Sequence, residues 1–77
     1  MPMAYILLNI EAGQEPYVAG EIQKIPGLKE AHRVYGVYDM IAKIESYSMD
    51  KLKETVTWKV RQIDGVRSTL TSLVMEG

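Results

Sequence analysis

Tyr35-Gly36-Val37-Tyr38-Asp39-Met40-Ile41-Ala42-Lys43-Ile44 is the stretch whose reading decides the fold. It reads as a tight turn followed by a strand. Gly36 lacks a Cβ and takes positive φ at no steric cost. Gly36-Val37 has the pattern of a two-residue type II′ hairpin loop. Tyr35 and Tyr38 would then face each other as a cross-strand pair. Past the turn, Met40, Ala42 and Ile44 alternate with Asp39, Ile41 and Lys43, the period of a strand. The acidic Asp39 stands at the mouth of this hairpin.

Upstream, residues 28–35 form the strand that enters the turn. Its middle is polar (Lys29, Glu30, His32, Arg33), which suits the edge of a sheet. Pro26-Gly27 separates it from a helix. That helix opens at Gly13-Gln14-Glu15-Pro16, with proline tolerated in the first turn and Glu15 suited to the positive end of the dipole. Val18, Ile22 and Ile25 supply one apolar face. Before it, residues 4–11 read as the first strand. Ile6, Leu8 and Ile10 fall on one side of it, Tyr5 and Leu7 on the other. A strand apolar on both faces is expected to be covered on both.

Downstream, Ser48 is the expected N-cap of a second helix, with Asp50 in its first turn. Met49, Leu52, Val56, Val60 and Ile63 trace its buried face. Trp58 lies about 200° from Val56 around that helix, off the core stripe. Asp64-Gly65 breaks the helix. Residues 66–75 form the last strand, whose Ser and Thr residues fall on both sides and leave its faces unassigned.

The order is β-α-β-β-α-β, and the halves repeat. Ile25-Pro26-Gly27-Leu28-Lys29 parallels Ile63-Asp64-Gly65-Val66-Arg67, and Ile10-Glu11 parallels Ile44-Glu45. Such duplication fits the α+β, ferredoxin-like fold. Right-handed crossovers put both helices on one face of an antiparallel sheet of order 4-1-3-2. Tyr5, Leu7 and Ile41 then lie on the uncovered face. An exposed apolar patch of that kind marks an interface. The expected solution is a symmetric homodimer, an αββα sandwich with sheets face to face.

Composition narrows the function classes. A chain of 77 residues makes one domain, residues 1–77, with a core small enough that association is the natural way to gain burial. There is no cysteine and one histidine, His32, so no disulfide and no structural metal are expected. Nine basic and ten acidic residues balance to −1, unlike a dedicated nucleic-acid surface. No apolar run reaches the roughly 20 residues of a membrane span, and no signal peptide is visible. A cytoplasmic protein with no direct nucleic-acid or membrane contact is expected.

The Ile-Pro-Gly-Leu helix exit, the Tyr-Gly-Val-Tyr-Asp-Met-Ile hairpin and the Asp-Gly-Val-Arg-Ser-Thr-Leu-Thr lead into the last strand together resemble one family. It is the effector-binding (RAM) domain of the Lrp/AsnC transcriptional regulators, and the resemblance covers essentially the whole chain. Family regulators carry an N-terminal helix-turn-helix domain, whereas here Met1 leads directly into the first strand, as in a stand-alone module. Val37 also departs from the pattern, since many members carry a polar residue there. The resemblance implies dimers that assemble further into octamers or decamers, and a small-molecule effector, usually an amino acid, bound between dimers. It implies hairpin ligand contacts from Gly36, Val37, Tyr38 and Asp39, and last-strand contacts from Ser68, Thr69 and Thr71. No cofactor and no catalysis are implied. Hetero-assembly with a full-length regulator would lend the module a DNA-binding half.

Other readings stand beside these. Asp39 can take a ligand ammonium, or simply bond backbone amides, as hairpin Asp residues do. The last-strand hydroxyls can be plain β-formers. Trp58 can be a lone exposed aromatic or an anchor between subunits. If Met1 is removed, the Pro2 amine could act as a base in a small tautomerase. Dimeric monooxygenases and ACT-like regulatory subunits share this strand order, and fold does not fix function.

Overall fold

The structure, a computed structural model, describes residues 1–75; the last two positions of the expected 1–77 domain lie outside the described residues. The elements are β1 (Met3–Ile10), α1 (Glu15–Ile22), β2 (Leu28–Arg33), β3 (Met40–Glu45), α2 (Met49–Thr55) with a π-helical turn Val56–Val60 continuing it, and β4 (Val66–Leu73). The four strands make one antiparallel sheet of order β2-β3-β1-β4, the expected topology read from the other edge.

Alternation in the central strands builds the core. Ala4, Ile6, Leu8 and Ile10 of β1 and Met40, Ala42 and Ile44 of β3 are buried. They pack with Val18, Ile22 and Ile25 from the first helical segment and Leu52, Val56 and Val60 from the second. Of the expected core positions, Met49 and Ile63, at the two ends of the second helical stripe, are only partly buried against this cluster; the others are inside. Ser48 caps α2 as expected, its hydroxyl accepting from the Lys51 N–H at 3.1 Å. The π-helical turn has no sequence signal. There the Arg61 N–H reaches back to the Val56 carbonyl at 3.1 Å, and both Val56 and Val60 stay over the sheet.

The internal repeat is visible as duplicated hydrogen bonds. The Leu28 N–H bonds the Ile25 carbonyl and the Val66 N–H bonds the Ile63 carbonyl, each at 3.2 Å. The glycine between each pair then offers its carbonyl to the matching strand end. Gly27 accepts from the Glu45 N–H at 2.9 Å, and Gly65 from the Glu11 N–H at 2.8 Å. At Gly27 φ is +88°, and a Cβ would run into the Glu45 carbonyl oxygen. Two constraints, conformation and space, both demand glycine there.

The connection between β2 and β3 corrects the sequence reading. It is not a two-residue type II′ loop, and Tyr35 and Tyr38 are not a cross-strand pair. The last paired residues are Arg33 and Met40, so six residues, 34–39, make the link. Gly36 does take positive φ, at +141°, in open space. The reason is tertiary. The start of β3 is tied to β1 rather than to Tyr35, because the Asp39 N–H bonds the Leu8 carbonyl at 2.8 Å. β2 accordingly ends two residues before Tyr35. β4 likewise ends at Leu73 rather than Met75.

Candidate functional site

Asp39 holds three segments together. Its carbonyl accepts from the Val34 N–H at 3.0 Å, closing the loop, and its N–H reaches β1. Its Oδ2 accepts from the Ile10 N–H at 2.8 Å. The side chain thereby substitutes for a strand carbonyl just where the β1–β4 register shifts, between Asn9 and Ile10. The backbone-bonding role is thus present. It occupies one carboxylate oxygen. An ionised carboxylate offers about four lone-pair positions, so acceptor capacity remains.

A surface depression of about 390 Å³ lies beside this loop, lined by Glu15, Arg33, Val34, Tyr35 and Asp39. β2 delivers Arg33 to it, the first turn of α1 delivers Glu15, and the loop supplies the rest. Glu15 Oε1 accepts from the Gly13 N–H at 2.8 Å, which fixes the side chain. Arg33 makes no ion pair with Glu15 or Asp39 within 4 Å, although all three line one depression. Residues of opposite charge thus line one recess without a direct ion pair. Tyr35 is fully exposed, Val37 nearly so, and Tyr38 half-buried.

The last-strand candidates divide between the two faces of the sheet. Thr69 pairs with Leu8 and Thr71 with Ile6, so both hydroxyls sit on the helix side. They line a second groove with Lys53, Thr57, Arg61 and Leu73. Ser68 pairs with Asn9 on the opposite face and accepts from the Asn9 amide at 3.1 Å. Within one chain β1 stands between these residues and Asp39. The loop residues Gly36, Val37, Tyr38 and Asp39 come together as one group; Ser68, Thr69 and Thr71 do not join it.

The uncovered face carries Tyr5, Leu7 and Ile41 as expected. Leu7 lies between Ile41 and Leu70 in the register, and His32 extends the row across β2. Tyr5 is 40 % exposed and Leu70 49 %, high for such side chains in a strand. The neighbouring row runs Glu30, Lys43, Tyr5, Ser72. The His32 ring meets Glu30 Oε1 at 2.9 Å, and Lys43 Nζ lies 3.7 Å from Oε2. The His32 hydrogen bond, and then the Lys43 charge, hold the Glu30 carboxyl below its ordinary value.

The profile of the Lrp/AsnC ligand-binding domain matches residues 3–77. This chain belongs to the Lrp/AsnC ligand-binding domain family. It is 32 % identical to the HTH-type transcriptional regulator FL11 of Pyrococcus furiosus over 74 residues, 96 % of this chain and 48 % of that one. It is 37 % identical over 73 residues to the homocitrate synthase of Sulfurisphaera tokodaii, spanning 91 % of this chain and 16 % of the enzyme. Among solved structures it is similar to FFRP-DM1, with a TM-score of 0.93 and 35 % identity over 97 % of this chain and all of that one. The chain thus spans about half the length of the regulator and a small part of the enzyme.

As an Lrp/AsnC ligand-binding domain, the chain has two features that the sequence reading passed over. Arg33 looked like part of a solvated edge strand, and only the fold turns it toward the same recess as Asp39. Leu70 was hidden because the faces of the last strand could not be assigned. Its pairing with Leu7 places it on the uncovered face. Among the described residues no three His, Asp or Glu side chains gather as a metal group, and no helix is long and apolar enough to cross a membrane.

Proposed function

We propose that this chain is a cytoplasmic effector-sensing module that binds a free amino acid beside the loop 34–39 and couples binding to self-association. The observation that carries the reading is the recess itself, which Arg33 and the backbone-anchored carboxylate of Asp39 line together without pairing. A zwitterion presents the complementary pair. Asp39 takes the ammonium by a charge-assisted hydrogen bond, about twice as strong as a neutral one. The ligand carboxylate goes to Arg33 and to the amides of Gly36, Val37 and Tyr38. The Asp39 amide, engaged with Leu8, is not available.

Dimerisation uses the uncovered face, with Tyr5, Leu7 and Ile41 at its centre and the sheets packed face to face. Dimers assemble further, to octamers or decamers, so that Thr69 and Thr71 of a neighbouring copy, which share the helix side of β4, complete the site across the gap left within one chain, while Ser68 on the other face stays with Asn9. The role is regulatory, not catalytic. Mixed assembly with a full-length Lrp/AsnC regulator would carry the signal to DNA; the match to half of FL11 supports such a division of labour.

The test is a thermal-shift screen of the amino acids, with oligomer mass measured for each hit. Binding to the native state raises stability by about 2.7 kcal/mol at a hundredfold excess over Kd. Asp39→Asn keeps an oxygen for the Ile10 N–H and removes the charge, so it should lose the shift and the ligand-dependent change in mass while keeping a folded dimer. An Asp39→Asn chain that binds the same amino acid as tightly as the parent removes the ammonium role from Asp39.

A further inference from the structure

We infer that the recess selects an amino acid with a positively charged side chain, and that Glu15 is the residue that recognises that charge. The inference rests on the effector-binding reading above and narrows it to one ligand class.

The charges lining the recess do not balance for an ordinary zwitterion. Glu15 and Asp39 contribute two carboxylates, Arg33 one guanidinium. An amino acid with a neutral side chain brings one positive and one negative group. Those satisfy Asp39 and Arg33 and leave Glu15 without a counter-charge at the rim. An amino acid with an acidic side chain adds a repulsion to that deficit. One with a cationic side chain brings two positive groups and one negative, the complement of what the protein presents.

Glu15 is built to serve in this way. It is half-buried, and its Oε1 is anchored by the Gly13 N–H at 2.8 Å. No bond to its second oxygen occurs among the described residues. A cation near the start of α1 feels the positive end of the helix dipole, equivalent to about half a charge, but the full charge of Glu15 outweighs it. Val34 and Tyr35 line the same recess and give a methylene stem an apolar wall, as long cationic side chains require.

L-lysine and L-norleucine make the decisive pair, because they share the stem and differ in the terminal ammonium. Calorimetry on the parent chain should show lysine binding on the order of tenfold tighter, the scale of one hydrogen bond between charged groups. Glu15→Gln keeps the oxygen that receives the Gly13 N–H and removes only the charge. In that variant the lysine preference should fall below about threefold through weaker lysine binding, with norleucine unchanged. Norleucine binding the parent as tightly as lysine overturns the selectivity and leaves the effector reading standing. A lysine preference that survives Glu15→Gln overturns the role of Glu15 and likewise leaves the effector reading standing. A parent that binds neither these two nor any other amino acid overturns both readings together.

Discussion

The two faces of the sheet are written on the same strands yet do different things. On the helix side, Ala4, Ile6, Leu8, Met40, Ala42 and Ile44 are essentially inaccessible to water. One residue along in each case, Tyr5, Leu7 and Ile41 form a patch that none of the described elements covers, and Leu70 joins them from β4. The helix side of the central strands is wholly apolar, whereas the uncovered side sets its apolar patch beside a polar row of Glu30, Lys43 and Ser72; the two sides differ also in what lies above them. Burial on the first face holds the monomer fold. Burial on the second requires another molecule. A two-residue period therefore lets one strand carry the core on one face and, in the proposed assembly, the interface on the other.

The largest expected effect tests the first face. Leu8→Ala removes a fully buried side chain and should cost about 2–5 kcal/mol, the range for such core truncations. For a domain this small that approaches the whole stability. Urea denaturation should show partial or complete unfolding at room temperature. A loss under about 1 kcal/mol would mean that the helix-side core collapses around the gap or is not decisive.

Leu7→Lys, one residue away, tests the second face. A lysine there would place an unpaired charge in the proposed dimer interface, which is strongly unfavourable, while its long stem can still reach water in a monomer. Light scattering should find monomers that retain the parent's far-ultraviolet circular dichroism. An unchanged oligomer places the interface elsewhere, and an unfolded chain means that this face also supports the monomer.

The smallest effect comes from the polar row beside the patch. The Glu30 carboxyl is held below its ordinary value when folded, first by His32 and then by Lys43. A carboxylate of lowered pKa contributes stability that is present above its unfolded value and lost as pH falls through the folded one. Glu30→Gln should therefore lower Tm slightly at pH 6, with the difference from the parent closing as pH drops toward 3. The row is solvent-exposed in the single chain, so the shift should be small there. A larger acid dependence in the parent dimer than in the Leu7→Lys monomer would put Glu30 inside the interface. Equal dependence would leave it at the rim.

Much of the fold and only part of the site were legible in the residues. Asp39 stood out because an acidic residue beside a glycine turn is conspicuous. Its bond to the Ile10 N–H was not, because that partner lies 29 positions away in the chain. Glu15 read only as a helix-dipole residue and Arg33 only as edge polarity. Each is locally unremarkable, and only the fold brings it to the lining of the same recess as Asp39. The type II′ turn failed for a related reason. Local turn chemistry favoured Gly36-Val37, but the hydrogen bonds that Asp39 makes to β1 set the loop at six residues instead.

By itself, then, the sequence determined the strand and helix order, the repeat, the buried face and the uncovered patch. All of these follow from short-range periodicity, because the pleat of a strand and the turn of a helix translate spacing directly into direction. Tertiary structure decided the rest: the length of the loop 34–39, the π-helical turn in the second helix, the face on which each hydroxyl of β4 lies, and the meeting of Glu15, Arg33 and Asp39 around one recess. These depend on register and on contacts between distant segments. A backbone amide seeking an acceptor will take one from whichever strand the fold brings within about 3 Å, and no local pattern names that strand in advance.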